Sequence, residues 1–174
     1  MNGIDEGVIN YMVYEDGNRL LGIATVDMPD KTNKSFTMNG AGISGDIDIP
    51  VIAHRDSMTM KINFRDTTEA AYSLAEERVH NLDLRVVHQN LDNQKGEIGT
   101  TNHKFVVRVI PKSLSGGSLS PATPQAVSGE YSVLKIAEYI DGKCVSDIDP
   151  VNFIDIDHTG KDRAEAIRKG LGLS

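Results

Sequence analysis

The chain is short of the residues from which most dedicated chemistry is built. It holds one cysteine, Cys144, among 174 residues, which excludes an internal disulfide and a thiolate metal cluster. With only Lys143 as a basic neighbour, Cys144 reads as a small hydrophobe and not as an activated thiol. Cations are outnumbered, since 18 Lys and Arg against 25 Asp and Glu leave a net charge of −7. An acidic surface repels phosphate, which argues against a protein that grips nucleic acid by its backbone. No stretch approaches the ~20 apolar residues that span a bilayer. The opening MNGIDEGVINYMVYEDG also lacks the basic and apolar regions of a secretory leader. The expectation is a soluble protein that the common signals do not export. The length suits one domain, 1–174, with an ordinary core.

What is present is mostly strand. In Ser57 to Arg65, SMTMKINFR, the residues Met58, Met60, Ile62 and Phe64 alternate with polar ones, the period of a strand with one wet face. Further strands are expected at Leu20 to Asp27, Leu82 to Gln89, Lys104 to Ile110, Tyr131 to Ile140 and Val151 to Ile156, all rich in β-branched and aromatic residues. Asp141-Gly142 reads as a hairpin turn. Two short helices are expected. One runs from about Thr67 to Glu77, with Asp66 as N-cap and Glu69 completing a capping box. The other, 160–171, closes the chain, with Thr159 and Asp162 as its box, Ala164, Ile167 and Leu171 on one face and Gly170 at its end. The run of Ser, Gly, Pro and Thr over 111–129 reads as a long exposed loop. The balance predicts a mainly β, antiparallel architecture with short helices.

Several stretches imitate functional motifs. GAGISG, Gly40 to Gly45, has the spacing of a dinucleotide-binding turn, but that turn must open a helix whose N-terminus meets the phosphate. The next residues, DIDIPVIAHRD, alternate and are interrupted by Pro50, so the glycines are expected to serve turns or bulges in an extended arm. DIDHTGKDRAE, from Asp155, begins like a calcium loop, yet Ala166 stands where the bidentate Glu belongs and Glu165 misses by one. His54, His80, His88, His103 and His158 show no short ligand spacing and read as solvated or core-edge residues. His54, Asp56 and Ser57 lack the nucleophile elbow that would make them a triad. No catalytic, cofactor or metal site is expected, and the protein is not read as an enzyme.

Over nearly its whole length the chain resembles the major tail tube proteins of contractile-tailed bacteriophages. The C-terminal third carries most of the likeness: the long strand at Tyr131 to Ile140, the Asp141-Gly142-Lys143 turn, DIDPVNFID from Asp147, and the terminal DRAEAIRKGLGL from Asp162. NYMVYEDGNRLLGIATVDMPD and NGAGISGDIDIPV look like the family's first hairpin and its glycine-bearing arm.

The resemblance implies an antiparallel β-sandwich or barrel subunit that forms homohexameric rings, stacked into the tube that conducts DNA during ejection. It implies a virion location after synthesis in the host cytoplasm. Expected partners are further copies of itself, the sheath, a baseplate tube-initiator, a tape measure and a tail terminator. The arm, 28–50, carries Phe36, Met38, Ile43, Ile47 and Ile49, too apolar for an idle loop and suited to docking on an adjacent ring. With Gly40, Gly42 and Gly45 these are the expected inter-ring residues, and Thr59, Lys61 and Asn63 are candidates for the channel wall. Six copies would carry −42, six times the chain's −7, and such a bore would let DNA slide without sticking. A contractile bacteriocin or a type VI secretion-like system would use a similar subunit, and a nucleotide-binding enzyme working through GAGISG is the remaining alternative.

Overall fold

The computed structural model describes residues 3–20 and 22–173. Its elements run β1 (Gly3–Glu15), β2 (Asn18–Arg19), β3 (Ile23–Asp27), β4 (Asn33–Met38), β5 (Ile47–Arg55), β6 (Met58–Phe64), α1 (Glu69–Ser73), β7 (His80–Asp92), β8 (Glu97–Ser115), β9 (Ser128–Ile140), β10 (Lys143–Asp149), β11 (Ile154–Ile156) and α2 (Glu165–Gly170). Leu21, expected in the strand that is now β3, lies outside the described residues. The fold is mainly antiparallel β with two short helices, as the pattern predicts.

One sheet carries the body, in the order β11-β10-β9-β8-β7-β1-β2, with β6 joining β9 and β3 beyond it. β9 is the branching strand. Its first half, Ser128 to Val133, pairs with β6, and Ile136 to Ile140 pairs with β10, while β8 runs along its other side. The register against β8 slips between Val133 and Lys135, and that bulge adds the bend that sends the two halves to different neighbours. Alternation places Met58, Met60, Ile62 and Phe64 in the core, where they cluster with Leu82, Leu84, Val107, Val109, Tyr131 and Ile136 under Ala71 and Leu74. Each such side chain contributes roughly 1.5–3 kcal/mol by leaving water.

The Asp141-Gly142 turn forms where expected: both residues take positive φ, 46° and 81°, which a two-residue hairpin of this twist demands. Boundaries elsewhere need correction. The strands at Leu82 to Gln89 and Lys104 to Ile110 are much longer, and β8 runs through Pro111 to Ser115, the first part of the expected loop. Pro111 survives there because the β8–β9 register breaks between Pro111 and Ser113, where its missing N–H costs little. Val151 to Phe153 form a turn, not a strand: Asp149 accepts from Asn152 N and Nδ2, and the strand pairing resumes only at Ile154.

The caps differ too. α1 starts later than expected, with Thr68 as N-cap accepting from Ala71 N, and Asp66 is occupied by the Thr67 N–H. α2 spans six residues and has no side-chain N-cap. Thr159 instead bonds Asp157, and Asp162 accepts from Ala164 N and Asp155 N. The helix ends at Gly170 as expected, with Leu171 as its C-cap, and Gly172 beyond it takes the left-handed conformation: Leu173 N donates to Arg168 O and Gly172 N to Lys169 O, each at 3.0 Å, the paired bonds of a Schellman end.

Candidate assembly surface

The expected arm, 28–50, is a β-hairpin whose strands run from Asn33 to Arg55, so it starts later than expected and its second strand continues past Pro50 to Arg55. β4 and β5 form a two-stranded sheet of their own, apart from the body. Residues opposite one another in an antiparallel pair share a face, so Phe36 opposite Ile49 and Met38 opposite Ile47 make one apolar side. The other side is polar, with Thr37 Oγ1 donating to Asp48 Oδ1 at 2.7 Å. The apolar side is substantially open, with Phe36 52%, Met38 40% and Ile47 49% exposed and Ile49 half-buried. Gly40, Gly42 and Gly45 sit in the connection at the tip, all at positive φ, with half-buried Ile43 among them. The glycines lead into β5 and not into a helix, so a phosphate at GAGISG would meet no helix N-terminus.

Charged side chains join the hairpin to the body at its base. Arg55, the last residue of β5, donates Nε and Nη2 to Asp155 of β11 at 2.9–3.1 Å, and its Nη1 reaches Asn33 Oδ1 at 2.6 Å. Asp155 is buried and also receives Arg163 Nη2 at 2.6 Å. This is what the residues resembling a calcium loop do: the first carboxylate is saturated by two guanidinium groups. The second, Asp157, closes a turn. Its carboxyl lies below the usual range because the Thr159 hydroxyl and N–H donate to it. For Asp162, burial pushes the carboxyl up, but the Asp155 N–H, the Arg168 guanidinium and the Ala164 N–H outweigh that and hold it low. Lys31 Nζ meets Glu138 Oε1 of β9 at 2.7 Å, a second link near the stem.

A second projecting surface escapes sequence reasoning. β7 and β8 continue past the core as a pair and β7 takes the start of β1 on its other side, so that Gly3 stands opposite Asp92, and Asp92 opposite Glu97. This three-stranded blade exposes Ile4, Val8, Ile9 and Ile98, the last at 70%. A sequence signal exists in the turn NQKG between HQNLD and EIGTT, where Asp92 accepts from the Gln94 and Lys95 N–H groups. Thr59, Lys61 and Asn63 occupy the face of β6 opposite the core, and Asn63 Nδ2 donates to Thr25 and Asp27 of β3. His54, Asp56 and Ser57 lie exposed at the hairpin base. His80 corrects the reading of the histidines, for it is wholly buried, with Nδ1 against Glu15 and Nε2 against the Glu76 carbonyl.

Residues 5–172 match the sequence model of phage tail tube protein FII. The chain belongs to that family. No curated protein matches it. Among solved structures, this tube protein is similar to a chain of the sheath-tube complex of an extracellular contractile injection system in its extended state, at 14% identity over 74% of this chain and 87% of that one, with a TM-score of 0.47. It is similar also to a chain of that system's sheath/tube terminator, at 15% identity over 75% and 94% of the two chains and a TM-score of 0.48. A chain of the anti-feeding prophage cap is similar at 12% identity, covering 75% of the tube protein and 87% of that chain, with a TM-score of 0.44. The family match, spanning nearly the whole chain, is what places the tube protein.

Proposed function

We propose that this tail tube protein polymerises as stacked hexameric rings into the inner tube of a contractile phage tail, and that DNA passes through its bore without specific binding. The observation that carries the reading is the hairpin of β4 and β5. A lone two-stranded sheet is marginal in water, and this one turns an apolar face outward from the body. Such a face is stabilised by a neighbouring copy, and a closed symmetric assembly is what keeps open edges from uncontrolled pairing. Phe36, Met38, Ile43, Ile47 and Ile49 would dock on the adjacent ring, with the tip glycines 40, 42 and 45 allowing close approach. The wet face of β6, Thr59, Lys61 and Asn63, is assigned to the channel wall. A net charge of −7 per copy supports a bore that repels phosphate. Sheath, baseplate initiator, tape measure and terminator are the partners this role requires, in a virion built in the host cytoplasm.

The test is negative-stain electron microscopy of the purified chain alongside sedimentation across concentrations. Hollow tubes or rings of uniform width and six-fold symmetry are the expected result. A variant with residues 33–55 replaced by a short Gly-Ser link should stay folded and monomeric. Stacked tubes from that variant would overturn the role of the arm, and tubes of another symmetry would overturn the hexamer.

A further inference from the structure

Resting on the assembly reading above, we infer that Asp155 is the positioning residue of the arm, a buried carboxylate that holds the hairpin at one angle to the body. The hairpin shares no strand pairing with the main sheet, and none of its described side chains belongs to the core cluster. Its angle therefore depends on what grips its base. Lys31–Glu138 is a partly exposed pair, 27% and 21% open, and pairs of that kind hold little. Arg55–Asp155 is different: the side chains are 9% and 3% exposed, the contact uses Nε and Nη2 on both carboxylate oxygens, and the two residues are 100 apart in the chain. A planar fork on a carboxylate sets direction as well as distance. Arg55 Nη1 also ties Asn33, the strand partner of Arg55, so both strands are fixed at the same point.

The other side of Asp155 is anchored as firmly. Arg163 reaches Oδ1, and Asp155 N donates to Asp162, which itself receives Arg168 Nη1 at 2.9 Å. The C-terminal segment thus stands as the fixed wall against which the arm is braced. A hairpin free to swing would lose that freedom on docking, and each ordered element weakens association. The brace removes that loss in advance, which lowers the concentration at which rings stack.

The test compares wild type, Arg55→Gln and Asp155→Asn by amide hydrogen exchange of the monomer and by the concentration threshold for tubes. Arg55→Gln should speed exchange over 33–38 and 47–55 at least about tenfold, the factor that loss of one charge-assisted hydrogen bond brings. Exchange in the β7–β8 core should hold, and the threshold should rise. Arm exchange at the wild-type rate, or tubes at the wild-type threshold, overturns the inference. Should Asp155→Asn not fold, Arg55→Gln decides alone, because Asp155 then keeps Arg163. If the wild type forms no tubes the assembly reading fails, whereas monomer exchange still decides whether Asp155 positions the arm.

Discussion

The ring of His80, with no solvent exposure, lies between two acceptors: Nδ1 is 2.5 Å from Glu15 Oε1 and Nε2 is 3.0 Å from Glu76 O. Both contacts hold only if Nε2 carries a hydrogen and another sits between Nδ1 and Oε1. Arg78 Nη2, at 2.8 Å, completes the neutralisation of Glu15. The cluster pins the end of β1 to the start of β7, and so braces the strand whose other end forms the blade.

Substituting His80→Leu leaves the buried Glu15 carboxylate with Arg78 alone, and breaking such a pair costs about 3–5 kcal/mol. Urea unfolding should show that loss. Glu15→Leu combined with His80→Leu should be less destabilised than the sum of the single variants, and strict additivity would sink the coupling.

Gly129 and Tyr131 make a second tight site in the core. A Cβ on Gly129 would press into the Tyr131 hydroxyl and stand 2.6 Å from its ring carbon, and Tyr131 is fully buried with no room to swing. Gly129→Ala should therefore cost about 1–3 kcal/mol through overpacking. The Tyr131 hydroxyl has no hydrogen-bond partner among the described residues, so Tyr131→Phe should be neutral or stabilising and should relieve part of the Gly129→Ala loss. A Tyr131→Phe variant that unfolds more easily would refute this account.

Alkaline stability depends on the same residue. Burial, with the nearby Glu15 charge, pushes the Tyr131 hydroxyl up to about 12. The unfolded chain then releases this proton near pH 10 while the folded chain keeps it. Stability is fully present below about pH 10 and falls as pH rises toward 12. Tyr131→Phe should flatten that slope, which denaturant midpoints at pH 8, 10 and 11.5 would reveal.

At the acid end, Asp162 governs the C-terminal segment. Its folded carboxyl lies below the unfolded value of about 3.9, so its contribution is present above that pH and is lost as pH falls through the folded value. Amides over 162–171 should become exchange-labile on acidification before those of the core. Asp162→Asn should bring that lability to neutral pH; if protection persists, the carboxylate does not hold the segment.

Phe36→Asp should abolish tube growth and leave the monomer's melting temperature unchanged, because Phe36 is half-exposed and lies outside the core cluster. Thr37→Asp, on the polar face beside Asp48, serves as the matched control and should interfere less. Sedimentation of both variants against wild type separates the faces, and equal defects would argue against the apolar side as the docking surface.

Some elements were legible because their cause is local. The alternation of Met58 to Phe64 has one reading, and Asp141-Gly142 supplies the backbone angles of a tight turn wherever it falls between strands. That GAGISG opens no helix was equally local, since Pro50 and the alternating residues before it forbid a helix there. Other elements were hidden because their cause is distant. Pro111 looks like a strand end until pairing with β9 sets it beside a bulge at Lys112, and Thr159 looks like a cap until Asp157 claims its hydroxyl. β10 passed unrecognised because its residues, Lys143 to Asp149, are mostly polar. What draws them into the sheet is β9 alongside and Lys135 Nζ at 3.3 Å from Asp147.

By itself, then, the amino-acid order determined the strand-rich character, the core face of β6, an apolar arm with a glycine tip and the family likeness along the chain. Those features arise from side-chain period and turn chemistry, which act over a few residues. Only the tertiary structure decided that the arm is a separate hairpin with one apolar face, that β9 divides between two neighbours, and that Arg55 and Asp155 meet. Register, branching and buried ion pairs are settled by segments up to 100 residues apart competing for the same partners, and no local pattern records the outcome of that competition.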